Sequence, residues 1–152
     1  MVSPETLAYL AGFVDGEGCI GIRIGVRKNG HRWAGGYVSL VNTDPTVPVL
    51  MQRLFGGSLR GREPAMLRHK LRWEWEMGGA GACRVVEFLY PYLQQKRLQA
   101  ENLLDFEEWR RGRYAVLHCL PSGLQAFRRQ DHEEMLTYAQ RARELNAGRE
   151  AS

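Results

Sequence analysis

A chain of 152 residues, 44% hydrophobic and 25% charged, is long enough for one domain with a real core and too short for two ordinary ones. No run approaches the roughly 18 apolar residues of a membrane span, and Met1-Val2-Ser3-Pro4-Glu5 lacks the basic and apolar regions of a signal peptide, so an intracellular protein with no membrane association is expected. The net charge of +4 is unevenly spread: residues 19–73 hold ten Lys/Arg against only Asp44 and Glu63, the electrostatic footprint of a polyanion binder.

The first predicted helix has a clear start, with Ser3 as cap, Pro4 at the first helical position and Glu5 at the positive end. Leu7, Leu10, Ala11 and Val14 form one apolar stripe. Ala8, Gly12 and Gly16 recur every four residues on a second face, which lets another backbone approach closely. Gly16 and Gly18 end the helix, and Asp15 and Glu17 lie at its C-terminus. Carboxylates there face the negative end of the macrodipole, at a cost of about 0.3–1 kcal/mol each. Something nearby should want negative charge.

A strand follows, in which Ile20, Ile22, Ile24 and Val26 alternate with Cys19, Gly21, Arg23, Gly25 and Arg27. Lys28-Asn29-Gly30-His31 reads as a hairpin turn. The returning strand, about residues 33–41, puts Val38 and Leu40 on the core face and Tyr37, Ser39 and Val41 on the other. Asn42-Thr43-Asp44-Pro45 turns into a helix over 46–55, closed by Gly56-Gly57. A second hairpin has arms over 58–62 and 67–77. Leu71, Trp73, Trp75 and Met77 share one face of it, and Arg68, Lys70, Arg72, Glu74 and Glu76 the other. The two glutamates should lie at the periphery of the basic face or contact cytosine N4; parity leaves both open.

The glycines at 78–81 break the pattern, and helices are predicted over 82–93 and 98–110, with Lys96 near their junction. Residues 112–130, marked by Gly112, Pro121 and Gly123, read as an irregular connection before a last helix over 131–146. Cys19, Cys83 and Cys119 form no C-x-x-C pair and imply neither a disulfide framework nor a zinc site. The order α-β-β-α-β-β-α-α predicts an α+β fold with helices on one side of a four-stranded antiparallel sheet and a basic face on the other.

The stretch Leu10-Ala11-Gly12-Phe13-Val14-Asp15-Gly16-Glu17-Gly18 closely resembles the signature of the LAGLIDADG homing endonucleases, and it occurs once. Phe13 and Val14 stand for aliphatics, Gly16 for a small residue and Glu17 for the second acid. The resemblance implies a saddle-shaped sheet whose concave face lies in the DNA major groove. It implies an endonuclease domain over 1–112, with a C-terminal helical extension over 113–152 packed on the same domain. Glu17 matches the acid that binds metal, Mg²⁺ or Mn²⁺, in the active site; Asp15 matches the first acid, whose role is more structural. Asn42 resembles the polar residue at the end of the second strand that helps position water or metal. Lys96, in Leu93-Gln94-Gln95-Lys96-Arg97, resembles the active-site lysine after the third helix, its alternative being a solvated inter-helix lysine.

Strand parity and the hairpin tip nominate Arg23, Arg27, Lys28, Arg32, Tyr37, Ser39, Arg60, Arg62, Arg68, Lys70 and Arg72 as DNA-binding residues. One signature per chain implies a homodimer with Ala8, Gly12, Asp15 and Gly16 at its seam, and hence a palindromic or near-palindromic double-stranded target. The expected activity is metal-dependent hydrolysis of both DNA strands, with no small-molecule cofactor. The rival is a non-catalytic nucleic-acid binder of the same fold, an intron maturase or a regulator.

Overall fold

The computed structural model describes residues 1–63, 70–122 and 128–148. Helix α1 (Pro4–Glu17) starts as expected, with the Thr6 N–H donating to the Ser3 hydroxyl oxygen and Pro4 in the first turn. Leu7, Leu10, Ala11 and Val14 are buried. At Gly18 the backbone N–H donates to the Val14 carbonyl, and a Cβ would lie 2.8 Å from Val14 Cα and O. Only glycine fits so close to the helix it terminates, and the chain passes from α1 straight into β1 (Gly18–Val26).

β1 pairs antiparallel with β2 (Arg32–Asn42), from Gly18 opposite Leu40 to Val26 opposite Arg32. The connecting turn needs Gly30 at φ +83°, a left-handed value that side chains rarely adopt. α2 (Thr46–Phe55) leads to β3 (Ser58–Arg62) and β4 (Arg72–Gly78), and the antiparallel sheet has the order β1-β2-β4-β3. Ile20, Ile22, Val38, Leu40 and Trp75 form its buried face, beneath α1, α3 (Gly79–Leu89), α4 (Arg97–His118) and α5 (Arg129–Ala147). The Trp75 indole N–H, fully buried, donates to the Gly56 carbonyl at 2.7 Å. This is the expected α+β architecture, with helices on one side of the sheet and the opposite side left open. No helix among the described residues is long and apolar enough to cross a membrane.

Three expectations change. The glycines at 78–81 do not break the chain: Gly79, at φ +63°, turns β4 directly into α3, which therefore begins three residues before position 82 and ends in a 3-10 turn over Tyr90–Tyr92. Gly112 does not end α4, which continues to His118. A lone helical glycine costs only about 1 kcal/mol. Around it Glu107 pairs with Arg110 and Arg111, Arg113 pairs with Asp131 of α5, and Leu117 is buried. The third change is in the sheet order. β4 is an inner strand, so Glu74 and Glu76 sit in the middle of the open face and not at its periphery. Arg68 lies outside the described residues.

Candidate active site and nucleic-acid interface

The two acids at the end of α1 have opposite surroundings. Asp15 is buried, and its carboxylate accepts three backbone N–H bonds: from Gln94 at 2.8 Å, Gln95 at 3.1 Å and Lys96 at 2.9 Å. In return the buried Lys96 ammonium donates to the Asp15 carbonyl oxygen at 2.7 Å. Each helix thus corrects the other's dipole. Asp15 is at the unfavourable end of α1 but beside the positive N-terminus of α4, and Lys96 brings positive charge to the carbonyl end of α1. Asp15 therefore points into its own chain, unlike Ala8, Gly12 and Gly16, with which the sequence grouped it. The lysine is not a solvated inter-helix residue. It is held two residues from Glu17 on the α1 backbone.

Glu17 is the last residue of α1 and exposed, and its carboxylate makes no hydrogen bond or ion pair among the described residues. Ala8, Gly12 and Gly16 are exposed too, and a Cβ at Gly12 or Gly16 would meet nothing within 4 Å. With Tyr9 and Phe13, whose rings meet edge to face at 5.1 Å, they line an open recess of about 450 Å³ that ends at Glu17. No group of three or more His, Cys, Asp or Glu side chains suited to a metal exists among the described residues. Glu17 alone is uncommitted at this end of α1, and its hard oxygens suit Mg²⁺.

Asn42 is the last residue of β2, the place the resemblance implied. It pairs opposite Trp73, which puts it on the parity of Val38 and Leu40, toward the helices. Its Oδ1 accepts the Asp44 N–H at 2.9 Å, shaping the turn into α2 beside Tyr9 and Phe13.

The open sheet face carries Arg23, Tyr37, Ser39, Arg60, Arg62 and Arg72, as parity required, whereas Arg27 lies just past β1 in the hairpin turn, bonded through its backbone to Gly30 and His31. Lys28 is exposed at the hairpin turn and Lys70 just before β4. Arg32 departs from this set. Opposite Val26, it has the other parity and lines a cavity of about 250 Å³ with Trp109 and His132.

Two features of this face were not read from the sequence. The first is that β1 glycines seat β2 aromatics: a Cβ at Gly25 would lie 2.2 Å from the Trp33 ring, and one at Gly21 2.9 Å from the Tyr37 hydroxyl. Anchoring the register at Asn29-Gly30 would have shown these pairs. The second is that the glutamates hold arginines. Arg23 donates to Glu76 from Nη1 at 2.6 Å and Nη2 at 2.9 Å, and Arg62 pairs with Glu74. The Arg23 hydrogen bonds hold the Glu76 carboxyl below its ordinary range and raise the guanidinium in turn. Burial, with the Cys19 thiol hydrogen-bonded to its hydroxyl at 3.4 Å, pushes the Tyr37 phenol up to about 12, so it stays a neutral donor at physiological pH.

Solved structures similar to this chain include homing endonucleases. The chain is similar to I-CvuI, crystallised in complex with the I-CreI target in the presence of Mg, with the DNA not cleaved: 24% identity and TM-score 0.71 over 93% of this chain and 82% of that one. It is similar to the archaeal intron-encoded I-Vdi141I complexed with DNA, at 13% identity and TM-score 0.65 over 93% and 84% of the two chains. The LAGLIDADG homing endonuclease I-SmaMI bound to cleaved DNA gives 14% identity and TM-score 0.61 over 91% of this chain and 43% of that one. No family model and no curated protein sequence matches the chain. The chain has the LAGLIDADG homing endonuclease fold.

Proposed function

We propose that this protein is a site-specific DNA endonuclease that acts as a homodimer on a palindromic or near-palindromic target and cuts both strands with Mg²⁺ or Mn²⁺. The observation that carries the reading is the end of α1. An open small-residue face leads to an uncommitted carboxylate, Glu17, beside a sheet face rich in arginine. Several of the similar solved structures are complexes with DNA, some with Mg or Ca present, which supports the same substrate and a divalent ion here.

One chain supplies one such carboxylate, so a second copy across Ala8, Gly12 and Gly16 brings a second Glu17 to the same place. These carboxylates and the phosphate oxygens of DNA would hold the ion, which when bound activates water and offsets charge on the scissile phosphate. Glu17 holds and orients. Lys96, fixed by the Asp15 carbonyl, places a positive charge near the phosphate and stabilises charge that develops there. Asn42 keeps its amide NH₂ for positioning water, its oxygen being committed to the turn. Arg23, Arg27, Lys28, Arg60, Arg62, Lys70 and Arg72, with Tyr37 and Ser39, face the major groove. The elements from α1 to α4 carry this machinery, and α5 completes the helical layer behind it.

Incubation with a randomised palindromic duplex library, with Mg²⁺ or with chelator, should yield metal-dependent double-strand cuts at enriched sites. Glu17→Gln should bind the same sites and cut none. Binding without cutting by the wild-type protein in Mg²⁺ and in Mn²⁺ would replace this reading with that of a non-catalytic binder. Gly12→Arg should sediment as a folded monomer, because its side chain enters open space in its own chain. A wild-type monomer at every concentration would refute the dimer.

A further inference from the structure

The middle of the groove face holds an arrangement that the proposed activity does not by itself require. Arg23 of β1 reaches across β2 to Glu76 of β4, two strands away, or about 9–10 Å in the sheet. On the way its guanidinium lies 4.0 Å above the centroid of the Tyr37 ring. Tyr37 cannot sink further, because it rests on Gly21, where even a Cβ would collide with it. Its hydroxyl is tied to Cys19. The guanidinium plane is therefore set from below by a seated ring and from the side by a two-point carboxylate clamp. A solvated arginine samples many rotamers; this one presents its remaining N–H groups in fixed directions.

The clamp has a chemical consequence in a groove. The Nη1 and Nη2 atoms each give a hydrogen to Glu76, so the end-on fork of Arg23 is used, and Nε–H with the outer Nη hydrogens remains for a partner. Guanine O6 and N7 accept such donors. Glu76 sits in the same plane of contacts and is an acceptor only. It repels guanine O6 and N7 and thymine O4, and tolerates the amino groups of cytosine and adenine. A glutamate in the centre of a polyanion-binding face opposes affinity for every sequence. Its gain is discrimination, because a wrong acceptor placed against it has no compensating bond.

We propose that Arg23, Tyr37 and Glu76 act as one fixed reading unit in which Glu76 is a specificity-determining residue: it aims Arg23 at a guanine and admits only an amino-bearing base, cytosine or adenine, beside it. The proposal rests on the DNA-binding reading above and adds to it which residues set base preference at one position of each half-site. Arg62 and Glu74 form a second, separate pair toward β3, which supplies an internal control.

The test is enrichment from a randomised duplex library by the full-length protein, with Glu76→Gln, Glu74→Gln and Arg23→Lys compared at one salt concentration and melting temperatures recorded. For the wild-type protein, one guanine position and its neighbour should show preferences of about 5- to 150-fold, the range of one good base contact. Glu76→Gln should bind the library pool more tightly and let both preferences fall to about 2-fold or less, at the same two positions that Arg23→Lys affects. Glu74→Gln should leave those two positions intact. If Glu76→Gln melts normally and changes affinity for all sequences equally, with the base profile unaltered, the reading unit is refuted while DNA binding stands. Failure of the wild-type protein to enrich any duplex would overturn the DNA-binding reading and this proposal with it. Should Glu76→Gln melt early, Glu76→Asp, which keeps the charge but shortens the reach, must still blur the same two positions; an unchanged profile there also refutes the proposal.

Discussion

Replacing Asp15 tests the idea that the two acids of α1 have separate tasks. Its carboxylate accepts N–H bonds at 2.8, 3.1 and 2.9 Å from Gln94, Gln95 and Lys96. A hydrogen bond to a charged group contributes about 1.5–3 kcal/mol net. The sum is not reached in Asp15→Ala, because Gln94 and Gln95 are exposed and their N–H groups regain water, whereas Lys96 is buried. A loss of about 3 kcal/mol follows, or a melting temperature lower by about 6–12 °C for a chain of this size. Asp15→Asn keeps one acceptor oxygen and should lose roughly half as much. Urea unfolding at fixed protein concentration measures the change with the effect of association held constant. Glu17→Gln is the counterpart. It removes an exposed charge from the negative end of a helix and should leave stability unchanged or raise it by up to about 1 kcal/mol. If Asp15→Ala unfolds within about 0.5 kcal/mol of the wild-type protein, or Glu17→Gln loses more than about 1 kcal/mol, this division of labour is wrong.

Gly18→Ala forces a Cβ to within 2.8 Å of Val14 backbone atoms and 3.1 Å of the Ser39 carbonyl. It should cost about 1–3 kcal/mol in the same unfolding assay, while Gly12→Ala, with open space around it, should not destabilise the isolated chain. Burial works to raise the Asp131 carboxyl, but the Arg128 N–H and the Arg113 guanidinium outweigh it and hold the group below its ordinary value. A depressed acid contributes stability above its unfolded pKa and loses it as pH falls through the folded one. The anchoring of α5 should therefore weaken below about pH 4, and Asp131→Asn should flatten that part of a melting-versus-pH curve. Among the cysteines, burial pushes the Cys83 thiol up to about 12, whereas Cys119 is exposed. A thiol reagent at pH 8 should label Cys119 at once and Cys83 only on unfolding; early loss of Cys83 by peptide mapping would contradict the packing of α3.

Much of this molecule is visible in its residue order because it depends on local periodicity. The apolar stripe of Leu7, Leu10, Ala11 and Val14, the alternation of isoleucines with arginines in β1, and the Asn29-Gly30 turn each follow from side-chain direction within one element. They specify α1, the first hairpin and a sheet with one basic face. The nine-residue signature is likewise contiguous, and its resemblance to the family motif is what singles out Glu17.

What depends on distant chain segments could not be read that way. Asp15 meets residues 94–96 some 80 positions away, and no spacing rule connects them. The strand order places Glu74 and Glu76 centrally only once β4 inserts between β2 and β3. Gly112 reads as a breaker until the packing of α4 on α5 outweighs its small helix penalty. Sequence alone determined which elements form and that two acids end α1, because backbone geometry repeats locally. Tertiary structure decided which charges are spent inside the fold: hydrogen bonds and ion pairs are settled by proximity in space, and an arginine face that looks wholly free in sequence has two of its members already held by glutamates.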